Sequence, residues 1–445
     1  MTETAQTAEA TTNYVQPPGS ITDLASQIRT GDVSPEQLVE RYLDRIAVSD
    51  AAVEAWLLVD DDGTMDAAKQ LGEEARAGEF RGPLHGIPIG VKDVFDVAGW
   101  PTKCNSPTRQ DALPATADAE IVAALRAAGA IILGKCHTTE FAFFHPSPAR
   151  NPHNINHTPG GSSSGPAAAV ASGTVPGALG TQTVASVNRP AAYCGIGAFK
   201  PSTGLGATYG VTALAPMFDT VGFYGWTVAD AVALFEAVCP AYMPPSAIAD
   251  DAALRVIVLE DPFFDEADAE ILAARENVAK RMVAAGHEVV HLPSPVPLEA
   301  LGRRQMHVTE YEMARVHAGL LGRPAEKVSV KLREALERGS DRSTDEYLDH
   351  RRKMDHAREE FFADISPTDA VLVPATPKTA PKGLKWTGDP RFIGPWTALG
   401  GPVVSLPAGL NDAGLPIGCM LAGRPSEDRG FARLSCRLAA AVDMH

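Results

Sequence analysis

The residues with chemical potential in this chain are serines in two glycine-rich turns and one lysine at the end of an apolar run. The first turn is Thr158-Pro-Gly-Gly-Ser-Ser-Ser-Gly-Pro166, which holds Ser162 and Ser163. The second is Gly180-Thr-Gln-Thr-Val-Ala-Ser186, and Lys92 closes the apolar run 87–91. A serine hydroxyl is a poor nucleophile and needs a base to take its proton during attack. A lysine serves as that base where desolvation keeps its amine neutral. Taken singly, Lys92 also reads as a surface lysine before a turn, and Ser186 as a turn or capping serine. The competing chemistry is a phosphate cradle at a Gly-rich loop. The first turn lacks the spacing and the lysine that such a cradle needs.

These residues are far apart in sequence, so a scaffold must bring them together. Residues 20–48 read as two amphipathic helices. The second opens with Ser34-Pro35-Glu36-Gln37, a serine cap, proline at the first helical position and glutamine reaching back. Leu38, Tyr42 and Ile46 then fall on one stripe. Residues 86–91 read as a short strand, 118–128 as an Ala/Leu-rich helix stopped by Gly129, and 130–133 as the next strand. A small-residue helix is expected at 167–172, and further strands at 254–259, 287–292, 370–373 and 403–406. The mostly charged stretch 262–366 reads as a helical excursion from the sheet that covers the pocket. Alternation of this kind implies an α/β layered core. With no repeat or linker, 20–445 reads as one domain behind a disordered tail, 1–19.

Composition sets the outer limits. The chain has 445 residues, 45% of them hydrophobic, which is enough for a large core and too apolar for a disordered protein. A formal net charge of −16 argues against a nucleic-acid groove. No stretch is long and apolar enough for a membrane helix. The six cysteines form no CxxC pair, so buried packing in a reducing cytoplasm is the simpler reading.

The first turn followed by an Ala-rich helix resembles the signature stretch of the amidase signature family. It lies between Pro-Leu-His-Gly-Ile-Pro-Ile-Gly-Val-Lys92-Asp93 and Gly180-Thr-Gln-Thr-Val-Ala-Ser186-Val-Asn-Arg-Pro190, in the family's order. Ala128-Gly-Ala-Ile-Ile-Leu-Gly-Lys135, Gly197-Ala-Phe-Lys-Pro201 and Val403-Val-Ser-Leu-Pro-Ala-Gly409 match as well. The resemblance implies one large domain, a mixed central sheet with helices on both faces. It implies a nucleophile at Ser186, a relay serine in a cis peptide at Ser162 and a base at Lys92. It further implies an oxyanion hole at Thr183, Val184, Ala185 and Ser186, and a supporting Ser163 bonded to the lysine. No metal or cofactor is implied. The implied partner is a small amide or carbamate, taken by a monomer or homodimer; the alternatives are a catalytically altered binding relative or an amidotransferase subunit.

Several positions depart from the family pattern. Val184-Ala185 replaces a Gly-containing pair, so the valine must either be strained or signal a reshaped turn. Asn188, Met217 and Asn105 also differ, and Gln182 stands where many relatives have Asp, as in the malonamidase and urea-derivative subgroup. Phe141, Ala142, Phe143, Phe144 and Met217 border the family's pocket, as does the Trp396-Thr-Ala-Leu-Gly400 loop. They point to an apolar or aryl substrate. His137, where Asn is frequent, reads as structural.

Overall fold

The computed structural model describes residues 13–238 and 254–442. The strands are β1 (Trp56–Val59), β2 (Pro88–Lys92), β3 (Ile131–Cys136), β4 (Gly177–Gln182), β5 (Gly197–Lys200), β6 (Thr220–Gly225), β7 (Arg255–Glu260), β8 (Glu288–Pro293), β9 (Asp369–Pro374), β10 (Val403–Leu410) and β11 (Pro416–Ala422). They form one mixed sheet in the order β1-β3-β2-β4-β6-β5-β10-β11-β9-β7-β8.

The helices are α1 (Ile21–Thr30), α2 (Pro35–Val53), α3 (Asp61–Arg76), α4 (Glu120–Ala127), α5 (Ser164–Ala171), α6 (Asn188–Cys194), α7 (Val228–Val238), α8 (Ala269–Ala284), α9 (Leu298–Val316), α10 (Val330–Asp341), α11 (Thr344–Phe361), α12 (Gly394–Leu399) and α13 (Asp428–Ala440). Helix α2 starts as its sequence dictates. Ser34 and Gln37 cap each other reciprocally, and Leu38 and Tyr42 are buried.

Strand periodicity divides the interior into two cores. Val256 and Val258 of β7 and Ala370 and Leu372 of β9 enter one core. Their alternates Ile257, Leu259, Val371 and Val373 enter the other. Successive side chains on a strand point to opposite faces, so this partition places the sheet between two helical layers. Strands β2, β3, β4 and β6 are buried along their whole length. Such strands lose the polar–apolar alternation of a half-exposed strand.

The parallel trio at the centre positions the site. β2 runs parallel to β3 on one side and to β4 on the other, with Ile89 opposite Gly177 and Val91 opposite Leu179. The carboxyl ends of β2 and β4 therefore reach the same edge, bringing Lys92 beside the residues that lead to Ser186.

Two local expectations change. Residues 13–19, expected as tail, lie on the core: the Tyr14 and Gln16 amides donate to the carbonyls of Pro152 and Ala171 at 2.9 and 3.2 Å. Residues 1–12 lie outside the described chain. The stretch 262–366 is mainly helical, and the strand expected at 287–292 is β8, whose mostly exposed residues close the sheet beside β7. Residues 180–182, expected in a turn, complete β4. No described helix is long and apolar enough to cross a membrane.

Candidate active site

Lys92 is fully buried, with its ammonium nitrogen 2.6 Å from Thr181 Oγ1 and 2.8 Å from Ser162 Oγ. Burial pushes its pKa from 10.5 down to about 7, against the opposing pull of the Asp219 carboxylate. A buried ammonium loses its hydration, so the neutral amine is favoured. The Asp219 carboxyl is itself raised by burial. It accepts hydrogen bonds from the Thr183 hydroxyl and from the Leu214 and Ala215 amides at 2.7 and 3.1 Å.

The peptide Gly161-Ser162 is cis. Both of its flanking carbonyls are clamped. The Gly161 carbonyl accepts from Arg189 Nη2 at 2.7 Å, and that of Ser162 from the Thr139 amide at 3.1 Å. Arg189 also donates to the Gly388 carbonyl at 2.6 Å and to Thr387 Oγ1 at 3.1 Å. Gly161-Ser-Ser-Ser-Gly165 also spells the G-x-S-x-G pattern of a nucleophile elbow. An elbow needs a strand feeding directly into the turn; here a loop precedes α5.

Ser163 does not bond the lysine as expected. Its hydroxyl accepts from the Thr181 amide and donates to the Thr181 carbonyl, both at 3.2 Å. It thus holds the residue that holds Lys92. The Ser163 amide in turn donates to the Ser186 carbonyl at 3.3 Å, joining the two serine turns directly. Tyr224 Oη donates to the same carbonyl at 3.1 Å.

The turn before Ser186 is tethered by its carbonyls. Thr183 O accepts from Gln305 Nε2 at 2.8 Å, Val184 O from Thr397 Oγ1 at 2.8 Å, and Ala185 O from the Arg189 amide at 3.0 Å. In a trans peptide the N–H points opposite the preceding C=O. Pinning these three carbonyls therefore turns the N–H groups of Val184, Ala185 and Ser186 the other way. Those N–H groups have no hydrogen-bond acceptor among the described residues.

Gln182 extends this bracing. Its Oε1 accepts from the Val187 and Asn188 amides at 2.9 and 3.1 Å, capping α6, and its Nε2 donates to Thr397 Oγ1 at 3.1 Å. Neither Val184 nor Ala185 has a positive φ, so the valine fits without left-handed strain, and its side chain joins the second core. Asn105, where relatives have glycine, does have a φ of 50°; asparagine tolerates that region better than most residues. Asn188 Nδ2 donates to Ser405 Oγ at 3.1 Å.

A cavity of about 230 Å3 adjoins this edge. Its lining includes Ala142, Thr181, Thr183, Leu214, Asp219 and Val221, so it reaches the Lys92 partner Thr181. Phe141 instead packs its ring 4.8 Å from that of His317. Phe143 and Phe144 pack on each other at 4.6 Å. Met217 packs against the second core and its amide donates to Glu312 at 2.8 Å. Trp396 is buried against Phe361, with ring centroids 5.6 Å apart. The half-buried His137 is held neutral by burial, its pKa pushed down to about 4, and its carbonyl accepts the Gly165 amide at 2.9 Å. Thr181, Arg189, Gln305 and Thr397 join the site without having stood out in the sequence. Arg189 and Thr181 lie inside the quoted motif and Thr397 inside the quoted 396–400 loop; Gln305 carries no local signal.

Fold and site together define an α/β protein with a desolvated lysine and a pair of interlocked serine turns at one sheet edge. The chain belongs to the amidase family, whose model matches residues 37–431. A solved amidase structure superposes with a TM-score of 0.87 at 29% identity, over 96% of this chain and 100% of the other. Peptide amidase from Stenotrophomonas maltophilia gives a TM-score of 0.82 at 25% identity, over 95% and 96%. A glutamyl-tRNA(Gln) amidotransferase subunit from Rhodopirellula baltica is 29% identical over 96% of this chain and 97% of its own length.

Proposed function

We propose that this protein is a serine amidohydrolase that cleaves small apolar or aryl amides and carbamates. The observation that carries the reading is the buried Lys92 amine, its pKa lowered by burial to about 7, 2.8 Å from Ser162 Oγ. In the proposed cycle Ser186 Oγ attacks the substrate carbonyl and passes its proton through Ser162 to Lys92. The N–H groups of the 183–186 turn stabilise the oxyanion, an interaction worth several kcal/mol in a water-poor site. The proton returns through Ser162 to the leaving nitrogen, the carbon–nitrogen bond breaks, and an acyl-enzyme remains on Ser186. Water, deprotonated by the same relay, releases the acid. Carbamates suit this cycle because their carbonyl carries both a nitrogen and an oxygen leaving group. The apolar side chains of Ala142, Leu214 and Val221 in the adjoining cavity support an uncharged substrate.

A second reading, an ammonia-generating amidotransferase subunit, is favoured by the full-length similarity to the Rhodopirellula protein. One experiment separates the two. Purified wild type and Ser186→Ala are assayed on chromogenic anilides, aryl carbamates, aryl esters and free glutamine. Anilide or carbamate cleavage that vanishes in the variant supports the amidohydrolase. Glutamine turnover alone favours the subunit reading, and turnover unchanged in the variant removes Ser186 as nucleophile.

A further inference from the structure

Helices α9, α10 and α11 enclose an open groove of about 560 Å3 that shares no lining residue with the site above. Its charge opposes that of the molecule. Four arginines, Arg303, Arg304, Arg338 and Arg342, line it against the single carboxylate of Glu310, in a chain of net charge −16. That carboxylate is already occupied: Arg338 Nη2 lies 2.7 Å from Oε1, and Arg342 binds Oε2. Arg303 pairs with Glu299. Arg304 makes no hydrogen bond or ion pair among the described residues.

The donors in the groove are also unmatched. Arg342 Nη1 donates to His307 Nδ1, so that nitrogen is the acceptor and His307 Nε2 carries the proton. His307 Nε2 and Arg342 Nε are both buried and without a partner. The His350 ring lies 4.0 Å from that of His307, and its Nδ1 is likewise unpartnered. Buried polar groups are normally satisfied, so these unsatisfied nitrogens beside unpaired Arg304 mark a place for a further polar partner. The positive surroundings also register in the histidine itself. Burial first, and then the neighbouring Arg342 charge, push the His307 pKa down to about 4.

We propose that this groove binds a phosphate group, free or as a monoester. Arg304 and His307 lie on α9, Arg338 on α10, Arg342 directly after it and His350 on α11, so the lining nitrogens come from separate elements. A tetrahedral oxyanion accepts from several directions at once, whereas a carboxylate presents its acceptors in one plane. Charge-assisted bonds from guanidinium to phosphate are the strong class of hydrogen bond.

The test is calorimetric titration of the full chain at constant ionic strength with inorganic phosphate, glycerol phosphate and malonate. Saturable phosphate binding, weakened about tenfold or more in Arg304→Gln, is expected. Arg304 holds nothing in the fold, so this variant should remain folded; Arg342→Gln, which disturbs Glu310, is a second variant checked first by its melting curve. Equal affinity for inorganic phosphate and glycerol phosphate identifies free phosphate as the ligand, and tighter binding of the ester identifies a phosphorylated metabolite. No saturable phosphate binding, binding unchanged in Arg304→Gln, or a clear preference for malonate overturns the proposal.

Discussion

Gln305 of α9 donates its amide hydrogen to the Thr183 carbonyl across 2.8 Å, tying the helical layer to the turn that precedes Ser186. Thr183 O can only accept, so the orientation of the Gln305 amide is fixed. The same Nε2 lies 3.0 Å from Thr309 Oγ1. Gln305→Leu removes the tether, leaves a buried carbonyl unsatisfied and frees the Val184 N–H to turn. Loss of a whole oxyanion donor costs about 100-fold to 1,000-fold in kcat. A loosened donor should therefore lower kcat by ~10-fold to 100-fold with little change in KM. Steady-state kinetics on whichever substrate the panel identifies checks this; an unchanged kcat removes Gln305 from the turn's support.

Ser186→Ala and Ser162→Ala address the proposed relay. Each should lower kcat by about 1,000-fold or more, and the double variant should be little worse than either single one, because residues acting as a unit are not additive. Both serines are small and buried, so thermal unfolding should shift by only a few degrees. Multiplicative losses in the double variant would mean that the two hydroxyls act independently.

The Lys92 amine sets two pH dependences with defined signs. Its folded pKa of about 7 lies below the ordinary 10.5. In the proposed cycle attack requires the neutral amine, so kcat/KM should rise through about pH 7 and level off above it. A flat profile down to about pH 5 would exclude Lys92 as the base, with chemistry limiting. For stability, the unfolded chain holds more protons at this group between the two pKa values. Stability therefore rises with pH across that window, and the burial cost is fully felt below it. Lys92→Met should lose that rise, which denaturant unfolding at neutral and at alkaline pH measures directly.

What can be read from sequence depends on where each residue sits. Lys92 is legible through its place in the family motif, since an apolar run ending in a lone lysine fits a surface turn equally well. Strand β4 is not: Gly-Ala-Leu-Gly-Thr-Gln has neither alternation nor β-branched enrichment. Its glycines are there for close approach. A Cβ on Gly180 would lie 2.6 Å from Tyr224 Cε2 and 2.8 Å from Ser163 Oγ. Strands β5, β6 and β11 are hidden for the same reason, since both their faces are buried. The carbonyl tether from Gln305 is illegible because it arrives from a distant helix with no local pattern, and the 396–400 loop reads as a pocket border, with nothing in it to show that Thr397 holds the Val184 carbonyl. Val184 looks, from sequence, like a choice between strain and reshaping, because sequence alone does not show that tethered carbonyls can orient a turn without glycine.

The residue after Lys92 carries the last prediction. Asp93 is fully buried and its carboxylate lies 2.7 Å from Lys135 Nζ, which also donates to the Phe95 carbonyl at 2.8 Å and to Thr102 Oγ1 at 2.9 Å. Burial raises the Asp93 pKa, and the Lys135 charge pulls it back. Asp93→Asn keeps the shape and the acceptor for the Lys103 amide, bonded at 3.1 Å. It leaves the Lys135 ammonium without a counter-charge. Removing one partner of a buried pair typically costs about 3–5 kcal/mol, whereas replacing both with apolar groups is often close to neutral. Asp93→Asn should thus lower unfolding stability by ~3 kcal/mol, and Asp93→Leu with Lys135→Met should recover most of it. Urea unfolding of the three proteins distinguishes the cases. A double variant as unstable as the single one would mean that Lys135 is needed for its bonds to the Phe95 and Thr102 oxygens, and that its charge is incidental.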